Sequence, residues 1–270
     1  MGNTRRKAKN LIQIICIAMF CILAVVLDFI KIPYLSNELQ NSLLSKIVQQ
    51  ACGSVAAILI LARLNIRLFS RPNKWLYLIP CFIIAIDNFQ FASYLNGNMQ
   101  LVHTKPLYFV LFAGYCLAVG LFEECVFRGV IFSLMAGWLP KNKKGFLLTY
   151  VLSSVVFGLA HLLNGFSIGT IVQVGYTILT GGLFAFCLIK TKNILCCAAV
   201  HATYNFCGLL MGEASALGLG TGVIFDIGTV LTMLIVSVIV GLFVLWKVFT
   251  YPEKERIELY QKLAVKQDNV

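Results

Sequence analysis

Apolar runs close to ~20 residues long, the length that a helix needs to cross a bilayer, recur from one end of this sequence to the other. Hydrophobic residues make up 59% of the chain and charged residues 12%, about half the charged fraction of a typical soluble domain. We therefore predict an all-α fold, a polytopic membrane bundle of about eight transmembrane helices. The 270 residues suit a single transmembrane domain, 1–270, and leave no room for a separate soluble domain.

The loops between the apolar runs predict the orientation of the bundle. The predicted spans cover residues 11–31, 43–63, 75–95, 106–127, 146–163, 168–189, 194–211 and 224–248. The first is expected to be an uncleaved anchor, because its apolar core is too long for a cleaved signal peptide. Lys and Arg cluster before the first span, after the second, fourth and sixth spans, and in the C-terminal tail, whereas the alternate loops hold few. Cytoplasmic loops carry this excess of positive residues, so we expect an integral, multi-pass membrane protein with both termini in the cytoplasm.

The net charge of +11 has the same origin. The positive residues lie in loops, where they set the topology and meet anionic lipid headgroups. The sequence holds no basic face interleaved with exposed aromatic residues. We therefore expect membrane lipid as a partner and no nucleic acid.

The few ionisable residues left inside the predicted spans are candidate functional residues, because each costs about 2.5–3.5 kcal/mol to insert. They are Asp87, Glu123, Glu124, Arg128, His161 and His201. Glu124 and Arg128 are four residues apart and share a helix face, so they can form an ion pair. Glu123 lies about 100° around the helix and lacks this partner, which suits a general base or acid. A structural ion-pair cluster that joins helices is the alternative interpretation of the three charges taken alone.

Two further spans carry polar residues towards the same region. Glu124 lies seventeen residues before the basic turn 141–144 and His161 lies seventeen after it, so on antiparallel helices both lie roughly 25 Å from that turn. In the seventh span, His201 and Asn205 are four residues apart and share a face. A neutral histidine and an asparagine can both donate hydrogen bonds to a developing oxyanion.

These residues fall in three short motifs, which are EECVFR (123–128), FGLAH (157–161) and HATYN (201–205). Together they resemble the EExxxR, FxxxH and HxxxN motifs of the CAAX-protease and bacteriocin-processing family, in the same order and each in a separate span. The resemblance is strong over about 106–210, the predicted catalytic core, and rests on topology elsewhere. The family includes intramembrane proteases that remove the last three residues of prenylated proteins, and bacterial members linked to bacteriocin maturation or immunity.

The resemblance implies an intramembrane endopeptidase of the CAAX prenyl protease type, which acts on a peptide or a membrane-anchored protein. It implies that Glu123 and His161 hold and activate a water molecule. Glu124 and Arg128 would support that site. A catalytically idle member that serves as a membrane scaffold or a bacteriocin immunity protein is the alternative. A transporter or proton relay is a further alternative, which would call for an internal repeat that the sequence lacks.

The family's remaining motif implies that His201 and Asn205 stabilise the tetrahedral oxyanion. We expect no metal or other cofactor, because the sequence has no HExxH motif and Arg128 beside the carboxylates would oppose a divalent cation. If zinc is present, its predicted ligands are Glu123, His161 and His201.

The third span carries one more polar pair, Asp87 and Asn88. It resembles an asparagine-pair motif of some bacterial members, with aspartate in the first place. The alternative for Asp87 is a packing contact with a polar neighbour on another helix.

Overall fold

The structure is a computed structural model that describes residues 38–96, 106–216 and 227–264, together with Met19 and Ile22. Within these residues the fold is helical and contains no strand, so the predicted all-α class is confirmed. The α-helices are α1 (Glu38–Arg63), α2 (Leu78–Asp87), α3 (Phe91–Leu95), α4 (Pro106–Glu124), α5 (Phe132–Trp138), α6 (Lys143–Ala160), α7 (Ile168–Thr191), α8 (Ile194–Ala216), α9 (Ile227–Phe249) and α10 (Glu253–Lys262). A π-helical segment, Cys125–Ile131, joins α4 to α5, and 3-10 turns lie at Trp75–Tyr77 and His161–Asn164.

Five helical stretches of the described chain are long and apolar enough to cross a membrane. They are Gln40–Arg63, Pro106–Trp138, Lys143–Leu163, Ile168–Thr191 and Ile227–Phe249, which match the second, fourth, fifth, sixth and eighth predicted spans. The seventh predicted span falls on the shorter apolar helix Ile194–Leu209. Apart from Met19 and Ile22, the first predicted span, 11–31, lies outside the described residues.

The predicted third span, 75–95, is not one helix. It begins as a short apolar helix that ends at Asp87, and it resumes as α3 after Gln90, whose φ of 60° is left-handed. Neither proline nor glycine marks this break in the sequence. Irregular backbone at membrane depth is tolerated where protein covers it, and here α8 packs against α2.

The predicted end of the fourth span, 106–127, is also wrong. The helical path continues beyond residue 127 through the π-helical segment and α5 to Trp138. The charges at 123–128 do not end the helix, because neighbouring helices bury Glu124 and Arg128. The next helix begins at Lys143, where the Asn142 side chain caps it by accepting a hydrogen bond from Gly145 N–H at 2.9 Å.

Small residues allow α4 and α8 to lie against each other without side chains between them. A Cβ atom at Gly120 would lie 2.8 Å from the Ala198 carbonyl oxygen and 3.1 Å from the Ala202 nitrogen. Close backbone approach at small residues is a common way for membrane helices to associate. Gly120 lies one turn before Glu124, so this contact sets the distance between Glu124 and α8.

The C-terminal helix α10 closes one end of the bundle. Lys192, in the turn between α7 and α8, forms an ion pair with Glu258 of α10. The Arg67 N–H donates to the Lys262 carbonyl at 2.8 Å, and the Tyr251 hydroxyl donates to the Ile189 carbonyl at 2.7 Å. Three of the segments that sequence analysis assigns to the cytoplasm therefore meet at the same end of the bundle.

Candidate active site

The π-helical segment carries the first charged pair of the candidate site. Arg128 lies within it, and Glu124 is the last residue of α4. Glu124 Oε1 and Arg128 Nη1 are 3.2 Å apart with both side chains buried, so the predicted ion pair forms. Single-turn π-helical stretches are frequent at functional sites, because they change the direction in which a few side chains point.

Arg128 has three further neighbours besides Glu124. Its Nη2 donates to the Gly181 carbonyl at 2.9 Å. Its guanidinium carbon lies 4.2 Å from the centre of the Phe157 ring and 5.2 Å from that of Phe184. A carboxylate, a carbonyl and two aromatic rings thus compensate for the desolvation of this buried cation.

His201 on α8 contacts both glutamates. Its Nδ1 is 2.8 Å from Glu124 Oε1, and its Nε2 is 3.7 Å from Glu123 Oε2. A carboxylate only accepts, so with Glu124 ion-paired to Arg128 the donor of this hydrogen bond is His201 Nδ1. The imidazole is thereby fixed in orientation, with Nε2 directed to Glu123.

The two glutamates differ in their surroundings. The Glu124 side chain is fully buried, whereas 25% of the Glu123 side chain is exposed. Within the described chain, the buried oxygens Glu123 Oε2 and Glu124 Oε2 both lack a hydrogen-bond partner. The two glutamates therefore differ in that Glu124 is held by its arginine and histidine, while Glu123 is partly exposed and has the more distant histidine contact.

His161 is linked to the other site residues by the ring of Phe157, which contacts both histidines. It is the first residue of the 3-10 turn after α6, and its Nδ1 lies 3.0 Å from the Phe157 carbonyl. Since a carbonyl only accepts, Nδ1 is the donor and Nε2 is left as an acceptor. The Phe157 ring packs edge-on against His161 at 5.1 Å and against His201 at 5.8 Å between ring centres. Both histidines thus contact the ring of Phe157. Among the described residues, His161 makes no hydrogen bond to either glutamate.

Asn205 follows His201 by one turn of α8 and is half-buried. Asn88 makes a polar contact with this turn, because its Nδ2 donates to the Tyr204 carbonyl at 2.9 Å. Asp87 is the last residue of α2, and its carbonyl accepts from the Gln90 N–H at 3.2 Å. Of the polar pair in the third span, Asn88 is thus the member that contacts a motif helix.

Sequence analysis assigned no site residue to the sixth span, yet α7 supplies two neighbours of the cluster. Gly181 gives the carbonyl that Arg128 binds. The Phe184 ring stacks on the His201 imidazole with 4.5 Å between ring centres and 17° between planes. The paired glycines 181–182 in an otherwise apolar span are the signal that could have marked this close approach.

A family model described as "Type II CAAX prenyl endopeptidase Rce1-like" matches residues 105–207. This segment is Rce1-like. It extends from the start of α4 into α8 and contains the three motifs, so the resemblance seen in the sequence is confirmed. The Rce1-like family is a family of membrane proteases, and with five helices able to cross a membrane the chain is an integral membrane protein. Comparison with curated proteins and with solved structures gives no match.

The alternative zinc site, with Glu123, His161 and His201 as ligands, stays a prediction. Among the described residues, no three His, Cys, Asp or Glu side chains come together as a group that could hold a metal ion. The positive Arg128 beside Glu124 adds an electrostatic cost to any divalent cation here.

Proposed function

We propose that the protein is an intramembrane endopeptidase of the CAAX prenyl protease type. It would hydrolyse a peptide bond in a membrane-associated protein or peptide with a water molecule activated by Glu123 and His161. The observation that chiefly supports this proposal is that one buried imidazole, His201, lies between the two glutamates of the first motif. The Rce1-like match supports the protease class independently.

Glu123 is the proposed general base. Its side chain is partly exposed, and its buried Oε2, which has no hydrogen-bond partner among the described residues, can accept a hydrogen bond from a water molecule. That water attacks the carbonyl carbon of the scissile bond while its proton passes to Glu123. When the tetrahedral intermediate collapses, the C–N bond breaks and the same proton passes to the leaving amine. A carboxyl and an amine are the products.

His161 would orient the attacking water. With Nδ1 donating to the Phe157 carbonyl, its Nε2 presents a lone pair as a second acceptor for the water. Two acceptors fix both O–H bonds of the water and direct an oxygen lone pair at the substrate carbonyl. This arrangement requires no metal, and we propose that the reaction uses none.

His201 and Asn205 would stabilise the oxyanion. A neutral His201 that donates Nδ1–H to Glu124 has only a lone pair at Nε2, so donation to the oxyanion requires the doubly protonated ring. The buried Glu124 carboxylate, held by Arg128, is placed to support that form. The Asn205 amide would supply the second donor from the next turn of the same helix.

The deciding experiment is cleavage by the purified protein in lipid vesicles, followed by mass spectrometry of the products. A CAAX-ending peptide with a prenyl group, the same peptide without it, and a double-glycine peptide of the kind found in bacteriocin precursors would be compared. We expect cleavage of at least one by wild type and none by Glu123→Gln. The matched control is Glu253→Gln, a change at a glutamate whose side chain is 76% exposed on α10.

Treatment with 1,10-phenanthroline should leave this activity intact. Loss of activity on metal removal that zinc reverses would contradict the metal-free mechanism. Absence of cleavage of every peptide by wild type would instead favour the catalytically idle alternative.

A further inference from the structure

The break between α2 and α3 directs one amide side chain at the helix that carries Asn205. Asn88 follows the last residue of α2, and its Nδ2 donates to the Tyr204 carbonyl at 2.9 Å. Gln90 then turns the chain with a φ of 60° before α3 begins. A broken membrane helix loses backbone hydrogen bonds, so its persistence calls for compensating contacts with protein.

Gly208 of α8 has no side chain, and the Asn88 amide lies in the space that this leaves. A Cβ atom at Gly208 would lie 2.1 Å from Asn88 Nδ2 and 3.0 Å from its Cγ. Separations under 3.0 Å do not occur for real Cβ atoms, so any other residue at 208 would displace Asn88. The Asn88 amide therefore occupies the place of a side chain at Gly208 while it bonds the carbonyl one turn earlier.

Asn88 and Gly208 together constrain the turn 204–208 of α8, which includes Asn205. His201, one turn earlier, is constrained by its hydrogen bond to Glu124. The two donors proposed for the oxyanion thus depend on two different helices, α4 for His201 and α2 for Asn205.

We propose that Asn88 is a positioning residue for Asn205, and that Gly208 is the residue that lets it act. The proposal rests on the proposed function, since it concerns the orientation of an oxyanion donor. An interaction that only orients a transition-state donor affects kcat and leaves substrate binding nearly unchanged.

The first test is a double-mutant cycle on the peptide cleaved by wild type. Asn88→Ala should lower kcat by about 10-fold or more, the effect typical of residues that orient a functional side chain, with KM little changed. Asn88→Asp, which keeps the size and removes the donor, should give a similar loss. In an Asn205→Ala background, Asn88→Ala should have no further effect on kcat, because the donor that it positions is gone.

The second test adds a methyl group at residue 208, with and without the Asn88 side chain that it would contact. Gly208→Ala should lower kcat in the wild-type chain, where the new Cβ meets Asn88, and should be tolerated in the Asn88→Ala chain, where that space is open. Gly241→Ala on α9 is the matched control, because a Cβ there has no neighbour within 4 Å among the residues that the structure describes. A Gly208→Ala loss of the same size in both backgrounds would overturn the proposal.

The outcomes separate this inference from the proposed function. If Glu123→Gln is inactive while Asn88→Ala keeps wild-type kcat, the function stands and the positioning role is overturned. If wild type cleaves no peptide, hydrogen–deuterium exchange of the 204–208 amides in Asn88→Ala decides. Faster exchange than in wild type supports positioning of this turn, and unchanged exchange overturns it.

Discussion

Glu123 and Glu124 are neighbours in the chain, yet their carboxylates have different partners. Glu124 is enclosed and shared by Arg128 and His201. Glu123 stands at the rim of the cluster with one oxygen unengaged within the described chain. A carboxylate held closely by an arginine and a histidine serves best as an orienting group, and a partly exposed carboxylate with a weaker contact serves best as a base.

Replacement of each glutamate by glutamine should therefore have a different result. Glu123→Gln should abolish cleavage without changing stability, because it removes the base and keeps the size. Glu124→Gln should leave measurable cleavage, since its amide oxygen can still accept from His201 Nδ1. It should lower the free energy of unfolding by about 3 kcal/mol or more, because Arg128 is left buried without an anion. Cleavage assays and thermal unfolding in the same lipid would measure both, and an active Glu123→Gln beside an inactive Glu124→Gln would invert the assignment.

Asn205→Ala tests the proposed oxyanion donor. We expect kcat to fall by about 10²–10³-fold with little change in KM, the effect of removing one such donor. His161→Ala should cost more, because it removes an acceptor of the attacking water. Thr203→Ala is the control on the same helix, since its hydroxyl donates to the Ala199 carbonyl of its own helix at 2.9 Å. A rise in KM with unchanged kcat in Asn205→Ala would place Asn205 in substrate binding instead.

At the scale of the elements, the site depends on how closely α4 and α8 approach. The Gly120 contact lets the two backbones meet, and one turn later Glu124 reaches His201. The aromatic rings of Phe157 and Phe184 then fill the space beside α6 and α7. The same packing that holds these helices together sets the distances within the cluster.

Gly120→Ala should consequently separate the two helices. Its Cβ would lie 2.8 Å from the Ala198 carbonyl oxygen, a backbone atom that cannot rotate away. We expect a loss of about 1–3 kcal/mol in stability, as for other overpacked contacts, together with reduced cleavage. Gly241→Ala again serves as the control without neighbours. Thermal unfolding and initial rates would show whether the two losses occur together, and wild-type values for both would contradict this account.

The elements also show which parts of this arrangement a sequence predicts. Hydropathy and motif spacing are local properties, so the helices bearing Glu123, His161 and His201 were predicted. The break at Asn88 was not, because no proline or glycine accompanies it. The contribution of Phe184 was not predicted either, since an apolar residue in an apolar span carries no sign of the ring that it will stack upon.

At the scale of the whole molecule, α10 fastens the end of the bundle where α8 begins. The Lys192–Glu258 ion pair links it to the turn that precedes α8, and Lys74 pairs with Glu255 at 2.5 Å. These contacts lie outside the spans and are exposed to the pH of the surrounding solution. They connect the position of His201 to a helix that is not among the candidate spans of the described chain.

This link predicts a pH dependence. The Lys192 ammonium holds the pKa of the Glu258 carboxyl below its ordinary value of 4.5. A carboxyl whose pKa is lower in the folded state contributes stability above its unfolded pKa, and this contribution is lost as the pH falls through the folded pKa. Glu258→Gln should therefore lower Tm at pH 7. The difference in Tm from wild type should vanish at a pH below both the folded-state and the unfolded-state pKa of Glu258. The double variant Lys192→Gln/Glu258→Gln should have a Tm no lower than that of Lys192→Gln alone. A Tm difference between Glu258→Gln and wild type that persists at low pH would contradict the electrostatic cause.

The orientation of the molecule is the remaining prediction at this scale. Reporter fusions after Lys144 and after Lys192 should report cytoplasm, because basic loops stay on that side. Fusions near Gly97 and Gly218 should report the outside. Reversed signals at any two of these positions would contradict cytoplasmic termini.

The π-helical segment Cys125–Ile131 makes the chain length here as important as its chemistry. A π-turn holds one residue more than an α-turn, so deletion of one apolar residue from it would let the backbone return to ordinary α-helical bonding. The α-helical parts on either side would keep their orientation, while the side chains within the segment would point in new directions. Deletion of Val130 or Ile131 would leave Glu124 and Arg128 four residues apart, with every charged residue still in the chain. Such a one-codon deletion would remove the π-turn that directs Arg128, and no inspection of motif letters alone would reveal it.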